Sequence, residues 1–162
     1  MRRYRHLVWA LLLAAGVVIL DQAAKALVTG SVAKGELIQL PGPVDLTLAH
    51  NDGVAFGLAG GGGILVILLA SLALIALGAF IASAPESNLT WISGGLIFGG
   101  AVGNLIDRIR FGHVTDFILL PHWPAFNLAD CAVTAGVILL ALVLIRGESP
   151  SRNAAKDQAG AS

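Results

Sequence analysis

Charged side chains are scarce in this chain of 162 residues. Asp, Glu, Lys and Arg together make up 12% of the sequence, about half of the roughly 25% that is usual in soluble domains. Hydrophobic residues make up 56% and would overfill a soluble core of this size, so a lipid bilayer is the better solvent. The ten basic and ten acidic residues balance, so no basic field indicates binding to nucleic acid.

Cysteine is almost absent, since Cys131 is the only one. This excludes an intrachain disulfide framework and a zinc site built from cysteines. The serines and Cys131 lack a plausible histidine partner for nucleophilic catalysis. His50, His113 and His122 could in principle bind a metal with Asp116, but no ligand spacing such as HExxH is present. We therefore expect no metal and no cofactor.

Four apolar segments are long enough to cross roughly 30 Å of hydrocarbon. They cover about residues 7–28, 64–82, 91–109 and 126–145. The first could instead be a secretory signal peptide, but Asp21, Gln22 and Lys25 stand where a signal peptide has neutral residues. The sequence thus predicts a mainly α membrane protein with four transmembrane helices, in a single domain over residues 1–146.

Residues 29–63 have a different character. Residues 36–40 and 44–49 are short and partly alternating, and Pro41-Gly42-Pro43 joins them, which is typical of two strands and a turn. We expect a small extramembrane β element over about residues 30–60. At the other end of the chain, residues 147–162 are small and polar and predict a disordered cytoplasmic tail.

The basic residues are biased toward the two ends of the chain. Six of the ten lie before the first span or after the fourth: Arg2, Arg3, Arg5, Arg146, Arg152 and Lys156. This favours both termini in the cytoplasm, with the β element and residues 110–124 outside. Polar residues from oppositely directed spans then meet at the outer end, which indicates a site. They are Asp21, Lys25, Asn51, Asn104, Arg108, Asp116, Asn127 and Asp130.

The third predicted span carries a glycine at every fourth position, namely Gly95, Gly99 and Gly103. This spacing is typical of close packing between membrane helices. Asn104 and Arg108 follow on one helical face and can point at the same place. Arg108 either supports a site there or extends to the interface as an anchor. We interpret Asp107, on a neighbouring face, as a structural partner for a base.

Asp116 and Asp130 are the principal candidates for chemistry. Ionisable residues at a membrane boundary are costly unless paired or solvated, and are therefore functional candidates. Taken alone, Asp116 could be a solvated loop acid and Asp130 the N-cap of the fourth span. Taken together, two carboxylates sharing one proton can activate a water molecule and protonate a leaving amine. The pair predicts an aspartic protease whose site lies at the outer rim of the bundle.

Five motifs of the chain carry a family resemblance. They are DQAAK at 21–25, NDGVAFG at 51–57, GGAVGNLIDR at 99–108, GHVTDFI at 112–118 and FNLAD at 126–130. In these motifs the chain resembles the bacterial lipoprotein signal peptidase (signal peptidase II) family. The resemblance implies that Asp116 and Asp130 are the catalytic aspartates. It also implies that Asn51, Gly53, Asn104, Arg108, Asn127, Asp21 and Lys25 bind substrate or support the site.

The resemblance also implies an activity and its setting. The family removes signal peptides from diacylglyceryl-modified prolipoproteins, cutting on the amino side of the lipidated cysteine. We therefore expect an inner-membrane endopeptidase, monomeric, without a cofactor, and inhibited by globomycin-type peptides. Two other classes stay open on the residues alone. A proton- or ion-coupled transporter would spread ionisable residues through its spans, and a non-catalytic scaffold would leave the acid and asparagine cluster unexplained.

Overall fold

The computed structural model describes residues 2–53, 67–68, 71–72, 74–75, 77–79 and 88–145, with side chains from Arg5 onward. Three described helices are long and apolar enough to cross a membrane: α1 (Arg2–Ser31), α2 (Asn88–Phe111) and α3 (Leu128–Ile145). The described residues between 67 and 79 are also helical and belong to the second predicted span, whose ends lie outside the described residues. The predicted disordered tail, residues 147–162, also lies outside them.

Helices α1 and α2 extend beyond the apolar segments that predict them, whereas α3 begins two residues later than predicted. Helix α1 has 30 residues, which at about 1.5 Å per residue gives about 45 Å, against roughly 30 Å of hydrocarbon. A helix of this length carries polar residues near its ends past the apolar interior. The last third of α1, from Asp21 onward, thereby reaches the same end of the bundle as the last two turns of α2.

Helix α2 lies between α1 and α3, and glycine allows both neighbours to approach closely. A Cβ atom added at Gly95 or Gly99 would lie 2.8 or 2.7 Å from the carbonyl oxygens of Ala10 and Ala14 on α1. A Cβ atom at Gly100 would collide with the carbonyl oxygen of Ala129 on α3. The predicted packing role of the glycine repeat is thus confirmed for α1, and Gly100 extends it to α3.

A three-stranded antiparallel sheet, in the order β1-β2-β3, lies beside one end of the helices. Its strands are β1 (Leu37–Ile38), β2 (Asp45–Asn51) and β3 (Val114–Leu119). The first two form the predicted strand pair. The expectation of a loop over residues 110–124 is wrong for β3, whose first four residues are all buried and therefore lack the alternation of a half-exposed strand.

Helix α2 is joined to β3 by a turn at Gly112. This residue has a φ of 78°, and its N–H donates to the carbonyl oxygen of Arg108 at 3.0 Å, which closes the last turn of the helix. The turn brings β3 back against the end of α2 that carries Asn104 and Asp107. The mainly α membrane fold with a small β element is confirmed, and its sheet extends the helical bundle at one end.

Candidate active site

Asp116 lies on β3 with only 2% of its surface exposed. Its two carboxylate oxygens accept hydrogen bonds from two different amides: Asn51 Nδ2 donates to Oδ2 at 3.0 Å and Asn127 Nδ2 to Oδ1 at 2.6 Å. Burial raises the pKa of Asp116 above its ordinary value, the Asn51 hydrogen bond opposes this rise, and the nearby charge of Asp130 adds to it. Asp116 is therefore a buried strand residue, and the alternative of a solvated loop acid is wrong.

Asp130 lies in the first turn of α3, where Asn127 is the N-cap. Asn127 Oδ1 accepts from the backbone N–H of Asp130 at 2.9 Å, and Asp130 Oδ2 accepts from the backbone N–H of Asn127 at 3.2 Å. This reciprocal pair is a capping box, so the alternative that Asp130 itself is the N-cap is wrong. Since Asn127 also donates to Asp116, a single residue holds both carboxylates.

Asn104 connects the two aspartates to the bundle interior. Its Nδ2 donates to Asp130 Oδ1 at 2.7 Å, and its Oδ1 accepts from Asn127 Nδ2 at 3.1 Å and from Lys25 Nζ at 3.0 Å. Both the nitrogen and the oxygen of the Asn104 amide therefore form hydrogen bonds. The oxygen must face Lys25, because an ammonium group can only donate. The position of Asp130 thus depends on α2 as well as on its own helix.

Asn51 is oriented by the residue two positions later. Its Oδ1 accepts from the backbone N–H of Gly53 at 3.0 Å, which leaves Nδ2 directed at Asp116. Gly53 has a φ of 69°, a conformation that other residues rarely adopt. Across the sheet Ala49 pairs with Asp116, so Asn51 lies diagonally opposite Asp116 on the same face.

A buried ion cluster lies beneath the two aspartates. Lys25 Nζ is 2.8 Å from Asp21 Oδ2 and 3.0 Å from Asp107 Oδ2, and all three side chains are at most 5% exposed. Asp21 Oδ1 accepts from the backbone N–H of Ala129 at the start of α3. The geometry agrees with the interpretation of Asp107 as the partner of a base, and that base is Lys25.

Two residues at this site were not among the predicted ones. Gln22 Nε2 donates to Asp107 Oδ1 at 2.8 Å, and the backbone N–H of Thr115 donates to Asp107 Oδ2 at 3.0 Å. At Gly103, which the glycine repeat predicts as a position of close helix approach, an added Cβ atom would lie 2.8 Å from Asp21 Oδ2. Gln22 is adjacent to a predicted residue, and a polar amide in an apolar helix is the signal that could have found it.

Some predicted residues lie outside this network. Arg108 is half-buried and donates to the carbonyl oxygen of Asn104 on its own helix at 3.4 Å. His50 and His113 stack on each other with ring centroids 3.9 Å apart. Within the described residues, no group of three or more His, Cys, Asp or Glu side chains could hold a metal ion. Cys131 is exposed.

The arrangement can carry acid–base chemistry. Among the described residues, Asp116 and Asp130 form no ion pair, and their direct partners are amides, which donate without supplying a positive charge. Two nearby carboxylates without a directly paired cation favour retention of one proton between them, and the charge of Lys25 lowers the pKa of Asp116 by less than burial raises it. One group can then accept a proton from water while the other donates one.

Comparison with known proteins identifies the family. The family model described as signal peptidase (SPase) II matches residues 13–146. A protein named lipoprotein signal peptidase from Syntrophomonas wolfei is 46% identical over 140 residues, covering 85% of this chain and 94% of the relative. One of the same name from Moorella thermoacetica is 43% identical over 142 residues, covering 85% and 95%.

A solved structure has the same fold. It is titled "Bacterial membrane enzyme structure by the in meso method at 1.9 A resolution" and aligns with a TM-score of 0.79 at 34% identity. The alignment covers 83% of this chain and 91% of that structure. The predictions of a membrane-bound bacterial peptidase and of the lipoprotein signal peptidase resemblance are confirmed. The chain belongs to the signal peptidase II family.

Proposed function

We propose that the chain is an intramembrane aspartic endopeptidase in which Asp116 and Asp130 are the catalytic residues. Its substrates are diacylglyceryl-modified prolipoproteins, and it cuts on the amino side of the lipidated cysteine. One observation carries this proposal: Asn127 donates a hydrogen bond to each carboxylate, from its side chain to Asp116 and from its backbone N–H to Asp130. The names of the relatives supply the substrate class.

The chemistry begins with one proton shared by the two aspartates. The ionised carboxyl accepts a proton from a water molecule, whose oxygen attacks the scissile carbonyl carbon. The protonated carboxyl then donates to the leaving nitrogen, and the C–N bond breaks. The raised pKa of Asp116 favours retention of that proton, because burial and a neighbouring carboxylate both disfavour a second negative charge.

The surrounding residues have supporting roles. Asn51, Asn104 and Asn127 donate to the carboxylates and fix their geometry. Gly53 fixes Asn51, while Asp21 and Lys25 join α1 to the site. Arg108 is half-buried on the same helical face as Asn104 and is the cation available to the developing oxyanion or to the substrate. Only the two aspartates exchange protons with the reacting atoms.

The membrane orientation follows from the charge distribution. Six of the ten basic residues lie near the two termini, which favours cytoplasmic termini and a site at the outer face. The signal helix of the substrate then lies among the spans, and the acyl chains of the substrate lie in lipid.

Residues 1–146 act as one domain and the enzyme works as a monomer. Globomycin-type peptides inhibit it by occupying the same site.

A reconstituted cleavage assay tests the proposal. The purified chain should cut a lipidated precursor peptide, and Asp116→Asn or Asp130→Asn should each lower kcat by about 10³-fold or more, since acid and base each contribute about 10² to 10⁴. The matched control is Asp45→Asn, an acid of β2 whose Oδ1 accepts from the backbone N–H of Leu40. Full activity in either site variant, or equal loss in the control, would refute the assignment.

A further inference from the structure

The ends of α1 and α2 farthest from the aspartates carry a cavity with both polar and aromatic residues in its lining. It has a volume of about 410 Å³ and is lined by Arg5, His6, Trp9 and Asn88. A second cavity of about 230 Å³ shares His6, Trp9 and Asn88 and continues between the helices to Leu13 and Ile92. The two cavities together have a polar mouth and an apolar floor. They are therefore complementary to an amphiphile, which has a polar headgroup and an apolar chain.

The mouth of this cavity is electropositive. Arg5 is exposed and forms no ion pair within the described residues, and His6 lies beside it. Helix α2 begins at Asn88 with no acidic residue in its first turn, so no carboxylate among the described residues offsets its terminal N–H groups and helix dipole. Glu86 precedes α2 in the sequence and lies outside the described residues. The described lining of the mouth therefore favours an anion.

The floor carries a second feature that is typical of a ligand site. Trp91 lines the deeper cavity and is 3% exposed, and its Nε1 has no hydrogen-bond partner among the described residues. The neighbouring Thr90 Oγ1 is buried and unpartnered in the same way. An indole N–H can only donate, and leaving a buried donor unpaired is costly. An acceptor oxygen from a ligand would remove that cost.

We propose that these two cavities bind the headgroup of an anionic phospholipid. Its phosphodiester accepts hydrogen bonds from Arg5 and Asn88, an ester oxygen accepts from Trp91 Nε1, and an acyl chain follows Leu13 and Ile92. The cavity opens at the end of three membrane-length helices, where the lipid headgroups of the adjacent leaflet lie. The apolar floor favours a lipid over free phosphate, because free phosphate has no apolar part that could pack against Leu13 and Ile92.

Tryptophan fluorescence offers a selective test, because two of the three tryptophans, Trp9 and Trp91, line the cavities. In a Trp123→Phe background, the full chain in mixed micelles is titrated with brominated phosphatidylglycerol or brominated phosphatidylcholine. Both lipids carry the quencher on the acyl chain and differ only in the headgroup. We expect half-maximal quenching at an at least threefold lower mole fraction of the anionic lipid.

Substitutions of the residues at the mouth of the cavity show whether these residues cause the preference for the anionic lipid. Arg5→Gln and Asn88→Ala should each remove the preference, whereas Arg110→Gln, which removes an exposed arginine at the opposite end of α2, should keep it. Retained cleavage of precursor peptide shows that each variant is folded. Equal quenching by both lipids in the parent, or an unchanged preference in Arg5→Gln, would overturn the proposal. Displacement of the anionic lipid by millimolar inorganic phosphate would also overturn it, in favour of a free-phosphate site.

Discussion

Two clusters of acids, all of them buried except the half-buried Asp130, lie side by side at one end of this bundle and differ in how their charge is compensated. Asp21 and Asp107 share the ammonium of Lys25. Asp116 and Asp130 are held by the amides of Asn51, Asn104 and Asn127. An ammonium stabilises two ionised carboxylates, whereas amides orient carboxylates without neutralising them. The first cluster is therefore suited to holding helices together and the second to holding a proton.

Asn104 is the point at which the two clusters meet. Its Oδ1 accepts from Lys25 and its Nδ2 donates to Asp130. The ion cluster thereby fixes the direction of the hydrogen bond that Asp130 receives. Loss of the ion cluster should disturb both stability and catalysis, while loss of an amide that holds Asp116 or Asp130 should disturb mainly catalysis.

Removing the cation should have the largest effect on stability. Lys25→Met leaves Asp21 and Asp107 buried without a counter-charge. Loss of one partner of a buried ion pair lowers the free energy of unfolding by about 3–5 kcal/mol. The free energy of unfolding in detergent, followed by tryptophan fluorescence, should fall by that amount. Lys34→Met, at an exposed position, is the control.

The neutral triple variant Lys25→Met, Asp21→Asn, Asp107→Asn sharpens this test. Because it removes all three charges, it should recover part of the lost stability. If Lys25→Met alone is as stable as the parent, the ion cluster does not hold the helices together and the contrast between the two clusters fails.

Substitutions of Asn127 separate capping from its contact with Asp116. Asn127→Ala should lose about 1 kcal/mol of stability with the N-cap, whereas Asn127→Ser should retain most of it. Both variants lose the donor to Asp116 Oδ1 and should lower kcat by about 10- to 100-fold, the equivalent of a charge-assisted hydrogen bond of about 1.5–3 kcal/mol. A serine variant with parental kcat would show that Asn127 acts only as a cap.

Asn51 should affect the pH profile more than the stability. Its hydrogen bond lowers the pKa of Asp116, so Asn51→Ala should raise that pKa further. If activity requires one protonated carboxyl, the alkaline limb of kcat/KM should move to higher pH, together with a lower maximum. Asp52→Asn, at the exposed neighbouring residue, should leave the limb in place. A shift to lower pH in Asn51→Ala would contradict the account.

The sequence predicts the site better than it predicts the sheet. Spans of alternating direction identify which polar residues share one end, and the structure brings Asn51, Asn104, Asp116, Asn127 and Asp130 together there. The bounds of the helices differ by a few residues, because polar residues continue α1 and α2 beyond their apolar parts and Asn127 caps α3 inside its apolar segment.

Long-range contacts account for what sequence reasoning missed. Strand β3 is buried on both faces and pairs with β2, which lies more than 60 residues earlier in the chain, so no local alternation indicates it. The capping role of Asn127 and the contact of Gln22 with Asp107 likewise depend on partners from other elements or on the start of a helix. Arg108 was predicted at the site, and its only described hydrogen bond is to its own helix.

Infrared difference spectroscopy during a pH titration tests the central claim that Asp116, which is buried beside a second carboxylate and held by amides, retains its proton to higher pH than an ordinary aspartate. The stretching band of a protonated carboxyl should persist to higher pH than that of an ordinary aspartate. Asp116→Asn should abolish this late-titrating band. Asp130→Asn should move the titration midpoint of the band to lower pH, because it removes the neighbouring charge, and Asp45→Asn should leave the midpoint unchanged. A late-titrating band that survives Asp116→Asn would contradict the account.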